Sequence, residues 1–259
     1  MGTGEKKDMN FRRMMIFSLL YIPYGFRKIT RTGVFGRHKA SYIDGPIPSD
    51  GNPLKAALIK HHVKQFHEAS CSVASVVTVV NAIREVYKDA PPPISQMDIL
   101  EKVRTAHWKE RMSSDKGYKG RRGLPLNTFG EVVIDSLNAY DIAYKTVEII
   151  QAQKNTNSSD NIRKALWNRL DGFEKKGNGL IIAHFDQGAY VPGLNIPHIS
   201  PVGGFNDKTG KVIILDVDYT QEKPYAIDFD IFYKGLSSEY NLLFKRFGFG
   251  NGGYIYIHL

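Results

Sequence analysis

Cys71 is the only cysteine in the 259-residue chain, and its setting could make it a nucleophile. It closes the segment Gln65-Phe66-His67-Glu68-Ala69-Ser70-Cys71 and leads into Ser72–Ile83, a small and apolar run without Gly or Pro. Ala74, Val77, Ala82 and Ile83, with Val73, Val76 and Val80, recur at spacings of three and four. That pattern predicts a buried helix despite its β-branched content. Ser70 is the expected N-cap. Cys71 then falls in the first turn, where unpaired N–H groups and the helix dipole favour an anion. A thiol in such a place is partly thiolate near neutral pH. Gln65 stands six residues earlier. Its side-chain amide and the backbone N–H of Cys71 would make a two-donor hole for the oxyanion of a tetrahedral intermediate. Taken alone, the same residues also fit a structural cysteine beside an ordinary surface glutamine.

The missing partners lie downstream. Pro197-His198-Ile199-Ser200-Pro201-Val202-Gly203-Gly204-Phe205 reads as a strand, Asn206–Gly210 as a turn, and Lys211–Val217 as the returning strand. Folding that hairpin brings His198 and Asp216 close to opposite each other. Asp216 sits among Ile213, Ile214, Leu215 and Val217, so it is expected to be buried, and a buried carboxylate needs a partner. Nucleophile, base and orienting acid thus follow in the order Cys71, His198, Asp216. The plain structural reading is a satisfied core pair. It loses weight beside a cysteine at a helix start.

These two blocks resemble the phytochelatin synthases, a family in the papain-like cysteine peptidase clan. The first block is Gln65-x5-Cys71 running into Asn81-Ala82; the second is His198-Ile-Ser-Pro-Val-Gly-Gly-Phe205 running on to Asp216. The resemblance covers roughly Gln65 to Ile257. It implies an α+β, papain-like fold in which the nucleophile starts a buried helix packed on an antiparallel sheet. It implies a cysteine that cleaves glutathione before its C-terminal glycine, holds γ-glutamylcysteine as a thioester, and passes it to water or an amine. No fixed cofactor is implied, since metal ions would enter as thiolate complexes of the substrate. A homodimer is among the expected assemblies.

The substrate pocket departs from the family pattern. Gln187 stands where an arginine is expected some ten residues before the histidine, and Gly252-Gly253-Tyr254 replaces Arg-Gly-aromatic. A glutamine or glycine cannot supply the bidentate fork that a carboxylate prefers. Arg246 is the compensating residue the sequence offers, and with Gln187 it makes the expected substrate-binding set. The family's cysteine-rich C-terminal extension has no counterpart here, which favours hydrolysis over polymerisation. Two rival readings remain: a papain-like amidase or acyltransferase on another acyl donor, and a non-catalytic papain-fold protein that binds a partner or a membrane surface.

The rest of the chain must position these residues. Helices are expected at Leu54–Lys64, Ile94–Thr105, Leu126–Tyr140 and Asn161–Lys175. Strands are expected at Ala143–Ile149, Gly179–His184 and Gly253–His258. Gln153–Asp160 reads as a polar loop, and Asp115–Gly123 as a flexible, solvated basic loop. His61, His62 and His67 lack the paired spacing of a zinc site and read as solvated loop side chains, so no metal site is expected.

Composition is 42% hydrophobic and 24% charged, with room for a sizeable core. The net charge of +9 is uneven: residues 1–40 carry +7 and the other 219 only +2. The chain therefore divides into a basic, partly apolar arm (1–40) and a catalytic domain (41–259). Met14–Tyr24, preceded by Arg12 and Arg13, resembles an export signal or a membrane-surface segment. Pro23 interrupts it, and it is too short to span a bilayer. The competing reading packs it on the catalytic body, so the compartment stays open between cytoplasmic and exported or membrane-associated. No nucleic-acid-binding motif accompanies the charge.

Overall fold

The segment from Cys71 to Ile83 is buried along its whole length, which is why a helix so rich in valine is tolerated. Packing on every side outweighs propensity. Its polar members are each bonded. The Ser72 hydroxyl accepts from Trp108 Nε1 (2.9 Å), Ser75 donates to the Ile199 carbonyl (3.0 Å), and Asn81 exchanges two bonds with Ile94.

The structure is a computed structural model. It describes residues 39–49, 51–88, 91–112, 117–154, 156–191, 195–240 and 242–259, with a few positions between 15 and 30. Most of the arm 1–40, including most of Met14–Tyr24, lies outside the described residues. Of its described positions, Met15, Leu19, Ile22, Phe26 and Ile29 are exposed.

In chain order the elements are β1 (Ser41–Tyr42), α1 (Pro53–Lys60), α2 (Cys71–Tyr87), α3 (Gln96–Lys102), α4 (Trp108–Met112), α5 (Leu126–Ala139), β2 (Thr146–Gln151) and α6 (Asn157–Lys176). They continue with β3 (Gly179–Asp186), β4 (Pro197–Asn206), β5 (Lys211–Ile214), β6 (Tyr225–Asp228), α7 (Phe229–Leu236), α8 (Leu242–Lys245) and β7 (Gly253–His258). The seven strands form one antiparallel sheet in the order β1-β6-β5-β4-β3-β7-β2. The layout is α+β, as the sequence predicts.

The sheet is covered on both faces, beyond the expected two layers. Side chains alternate: Leu180, Ile182, Ile255 and Ile257 join α1, α2 and α5 in one core, while Ile181, Ala183, Phe185 and Tyr254 join Leu166 and Leu170 of α6 and Phe232 of α7 in the other. Strand β3 is buried at all eight residues, so each face needs its own helical cover.

Element boundaries move where tertiary contacts decide them. Strand β2 shifts three residues from the expected start to pair Thr146–Gln151 along β7. Helix α6 begins at Asn157 and takes in half of the expected loop. The expected flexible basic loop is, over its described residues, a tight hairpin. Tyr118 N–H donates to Arg121 O (3.1 Å) and Arg121 N–H to Tyr118 O (2.9 Å). Lys119 and Gly120 between them both take positive φ, 49° and 74°, as a type I′ turn requires.

One irregularity sets the site. From Asn206↔Lys211 the β4–β5 pairing runs regularly to Gly204↔Ile213, then slips to Val202↔Ile214. The extra residue, Gly203, makes a bulge. Leu215 N–H donates to Pro201 O (3.0 Å), which carries the shifted register onward and sets Asp216 across from Ser200. A Cβ on Gly203 would lie 2.5 Å from Leu215 Cγ, and Leu215 is fully buried. Gly203→Ala is expected to destabilise the fold by about 1–3 kcal/mol and to lower activity through the displaced neighbour of Asp216, as read by thermal melting alongside turnover.

Candidate active site

Cys71 is the first residue of α2, and its backbone N–H has no intrahelical acceptor. Ser70 occupies the N-cap position but does not cap. Its hydroxyl instead donates to His67 O (2.8 Å) and accepts from His67 N–H (2.9 Å), closing the loop before Cys71. Gln65 is held by its N–H donating to Val217 O (2.8 Å), and its side chain is buried in the cleft wall with Oε1 unpartnered.

His198 is the second residue of β4, at the strand end that meets the start of α2, and it lines the same cleft as Cys71. Its Nε2 donates to Asp216 Oδ1 at 2.7 Å, which leaves Nδ1 for the sulfur. Phe185 stands edge-on to the imidazole, at 5.3 Å between centroids. Burial alone would disfavour the imidazolium. The Asp216 charge, its hydrogen bond and the Cys71 contact outweigh burial and raise the His198 pKa well above its ordinary value.

Asp216 is completely buried and fully bonded. Besides His198 it accepts from the Tyr225 hydroxyl (2.6 Å), the Asp218 N–H (2.9 Å) and, more weakly, the Ser200 hydroxyl (3.4 Å). Burial would push its carboxyl up, but the His198 charge and these bonds bring it down to about 2. Its backbone carbonyl accepts from Lys64 Nζ (2.6 Å) and His62 Nε2 (3.1 Å). Burial, then the charge of Lys64, lowers His62 to about 4, which leaves it a neutral donor.

The loop histidines are thus not solvated as expected. His61 pairs with Glu85 (2.6 Å), His62 backs Asp216, and His67 braces the turn before Cys71. Tyr225, Ser200 and Lys64 were not singled out from sequence, and His62 was read only as a solvated loop side chain. Only Ser200 had a signal, two residues from His198 and so on the same face of the strand.

The site opens into a cleft of about 410 Å³ lined by Gln65, Cys71, Gln187, His198 and Asp218, with apolar walls from Ile196, Pro197, Phe244 and Phe249. Gln187 lies in this wall, but its amide nitrogen is committed to Asp218 Oδ2 (2.8 Å). Asp186 accepts from Gly188 N–H (3.0 Å) and Asn195 Nδ2 (2.7 Å) and shapes the loop that presents Gln187. Arg246 is not brought to the cleft lining; it is exposed on the turn after α8. Gly252 admits no side chain, because a Cβ there would lie 2.4 Å from His184 O. The cation in the lining is Arg122, carried by the basic hairpin.

No curated protein matches the chain. The phytochelatin synthase family model matches residues 53–242, which include the cysteine, the histidine and the aspartate. A buried Cys71 opening a helix that packs on an antiparallel sheet is the papain-like arrangement of that family, and the chain belongs to the phytochelatin synthase family.

Proposed function

We propose that the chain is a cysteine-dependent acyl-transfer enzyme acting on glutathione or a related γ-glutamyl thiol peptide. One observation carries this reading: a thiol and an imidazole line one cleft, and the imidazole is held by a buried carboxylate at 2.7 Å.

In this reaction His198 takes the thiol proton, and the sulfur attacks the carbonyl carbon of the bond before glycine. Gln65 and the Cys71 N–H hold the resulting oxyanion. The imidazolium, kept charged by Asp216, returns its proton to the departing glycine amine. The γ-glutamylcysteinyl thioester then meets water or a second amine, with His198 acting again as base. Metal ions enter, if at all, on the thiolates of the substrate.

The test is incubation with glutathione, following free glycine and the intact mass of the protein. Glycine release with a transient γ-glutamylcysteinyl adduct on Cys71, both absent in Cys71→Ala, is the expected result. Release that survives Cys71→Ala overturns the reading. Adduct formation only with ordinary peptides would keep the chemistry and change the donor.

A further inference from the structure

Met15, Leu19, Ile22, Phe26 and Ile29 are helical residues spaced four, three, four and three apart, so they fall on one face of the arm. Their side chains stand open to water, from 51% exposed at Met15 to 83% at Ile29. These five are not packed on the catalytic body, the place that the competing reading of the arm gives them. Large apolar groups aligned in one exposed stripe mark a surface that something covers.

The charge around the stripe says what the cover is. Arg12 and Arg13 precede it, Arg27, Lys28 and Arg31 close it, and Arg37 and Lys39 follow. From Met9 to Ile43 the chain has no aspartate or glutamate. The alternating spacing of four and three would also suit a seam between two copies. Two such copies would bring these bases together with no acid to pair them. Such a seam would also leave Ile16, Phe17, Leu20 and Tyr21, which fall between the stripe positions, without a polar outer face to present to water. An anionic bilayer satisfies both features at once: apolar side chains enter the acyl boundary while the flanking bases meet the headgroups. Met15 and Ile29 are separated by about 21 Å of helical rise, short of a hydrocarbon core of about 30 Å, so the stripe suits the plane of the surface and not a crossing.

We propose that the arm docks the chain onto an anionic bilayer surface, with the stripe Met15–Ile29 seated below the headgroups and the bases on either side of it paired with lipid phosphates. The inference stands apart from the acyl-transfer reading of Cys71 and places the catalytic domain at a membrane.

The test sediments the full chain with vesicles at about 0.15 M salt, where contact-range charges still act. One set is phosphatidylcholine alone; the other contains about one-third phosphatidylglycerol, which supplies the negative surface. The wild-type protein should bind the anionic vesicles at least about tenfold more tightly than the neutral ones, since several bases contribute together. The combined variant Leu19→Gln, Ile22→Gln, Phe26→Gln should stay in the supernatant and melt at the wild-type temperature, because the three side chains are exposed. The combined variant Arg27→Gln, Lys28→Gln, Arg31→Gln should lose most of the preference for anionic vesicles. A wild-type protein that stays in the supernatant, or binds both vesicles equally, overturns the proposal. So does sedimentation that survives loss of the three apolar side chains, which would be adsorption by charge alone. A mass, by light scattering without lipid, that falls from dimer to monomer in the apolar variant assigns the stripe to a second copy and overturns it as well.

Discussion

Asp216→Asn is expected to fold and to lose acyl transfer by about 10³-fold or more, the scale of losing the orienting acid in such a triad. The carboxylate accepts from His198, Tyr225, Asp218 and Ser200, and an amide cannot accept on both sides. If its NH₂ faces His198, the imidazole must take the other tautomer, and the nitrogen facing Cys71 no longer has a lone pair for the thiol proton. If its oxygen faces His198, the tautomer survives but the imidazolium loses its counter-charge. Asp216→Ala leaves the buried imidazole unpaired and should cost about 3–5 kcal/mol of stability as well. The native carboxyl lies at about 2 against an ordinary 3.8, so its contribution to stability is complete above roughly pH 4 and lost as pH falls towards 2. Turnover, with thermal melts between pH 2 and 7, checks both effects. An Asp216→Asn enzyme within tenfold of wild type would remove the aspartate from the mechanism.

Alkylation of Cys71 should continue at slightly acidic pH, well below the ordinary thiol range of about 8.5, and lose that acid limb in His198→Ala. The reason is the elevated pKa of His198, which lets the imidazole hold a proton beside the sulfur. No other thiol competes for the reagent. Equal profiles in the two proteins would show that the imidazole does not govern the thiol.

That Cys71, His198 and Asp216 come together was legible because each carries a local signal. Cys71 heads an apolar run with helical spacing, and His198 and Asp216 lie on two β-rich runs joined by a turn. The supporting residues were not legible, because their roles exist only in three dimensions. Tyr225 comes nine positions after Asp216 on another strand, and His62 and Lys64 reach a backbone carbonyl more than 150 residues away. Arg122 looked like part of a solvated charge cluster. Nothing in Arg121-Arg122 says which guanidinium turns inward; the hairpin geometry decides it. The helix α6 was expected, but its place on the second face was not legible for a related reason: it is largely polar, and Leu166 and Leu170 are its buried residues in that core.

The bulge at Gly203 makes the site a matter of parity. Counted from the turn without it, Asp216 would sit across from Pro201, and its side chain would leave the face shared by His198 and Ser200. That change would also exchange Ile214 and Leu215, or Ile199 and Val202, between the two cores, so packing and acid turn together. One extra residue therefore sets both the packing of this hairpin and the aim of the acid. Deleting Gly203 would remove the extra residue and leave Ser200 across from Asp216, whereas a single residue added or removed elsewhere in the hairpin, and not taken up as a bulge, would turn the acid away from the base.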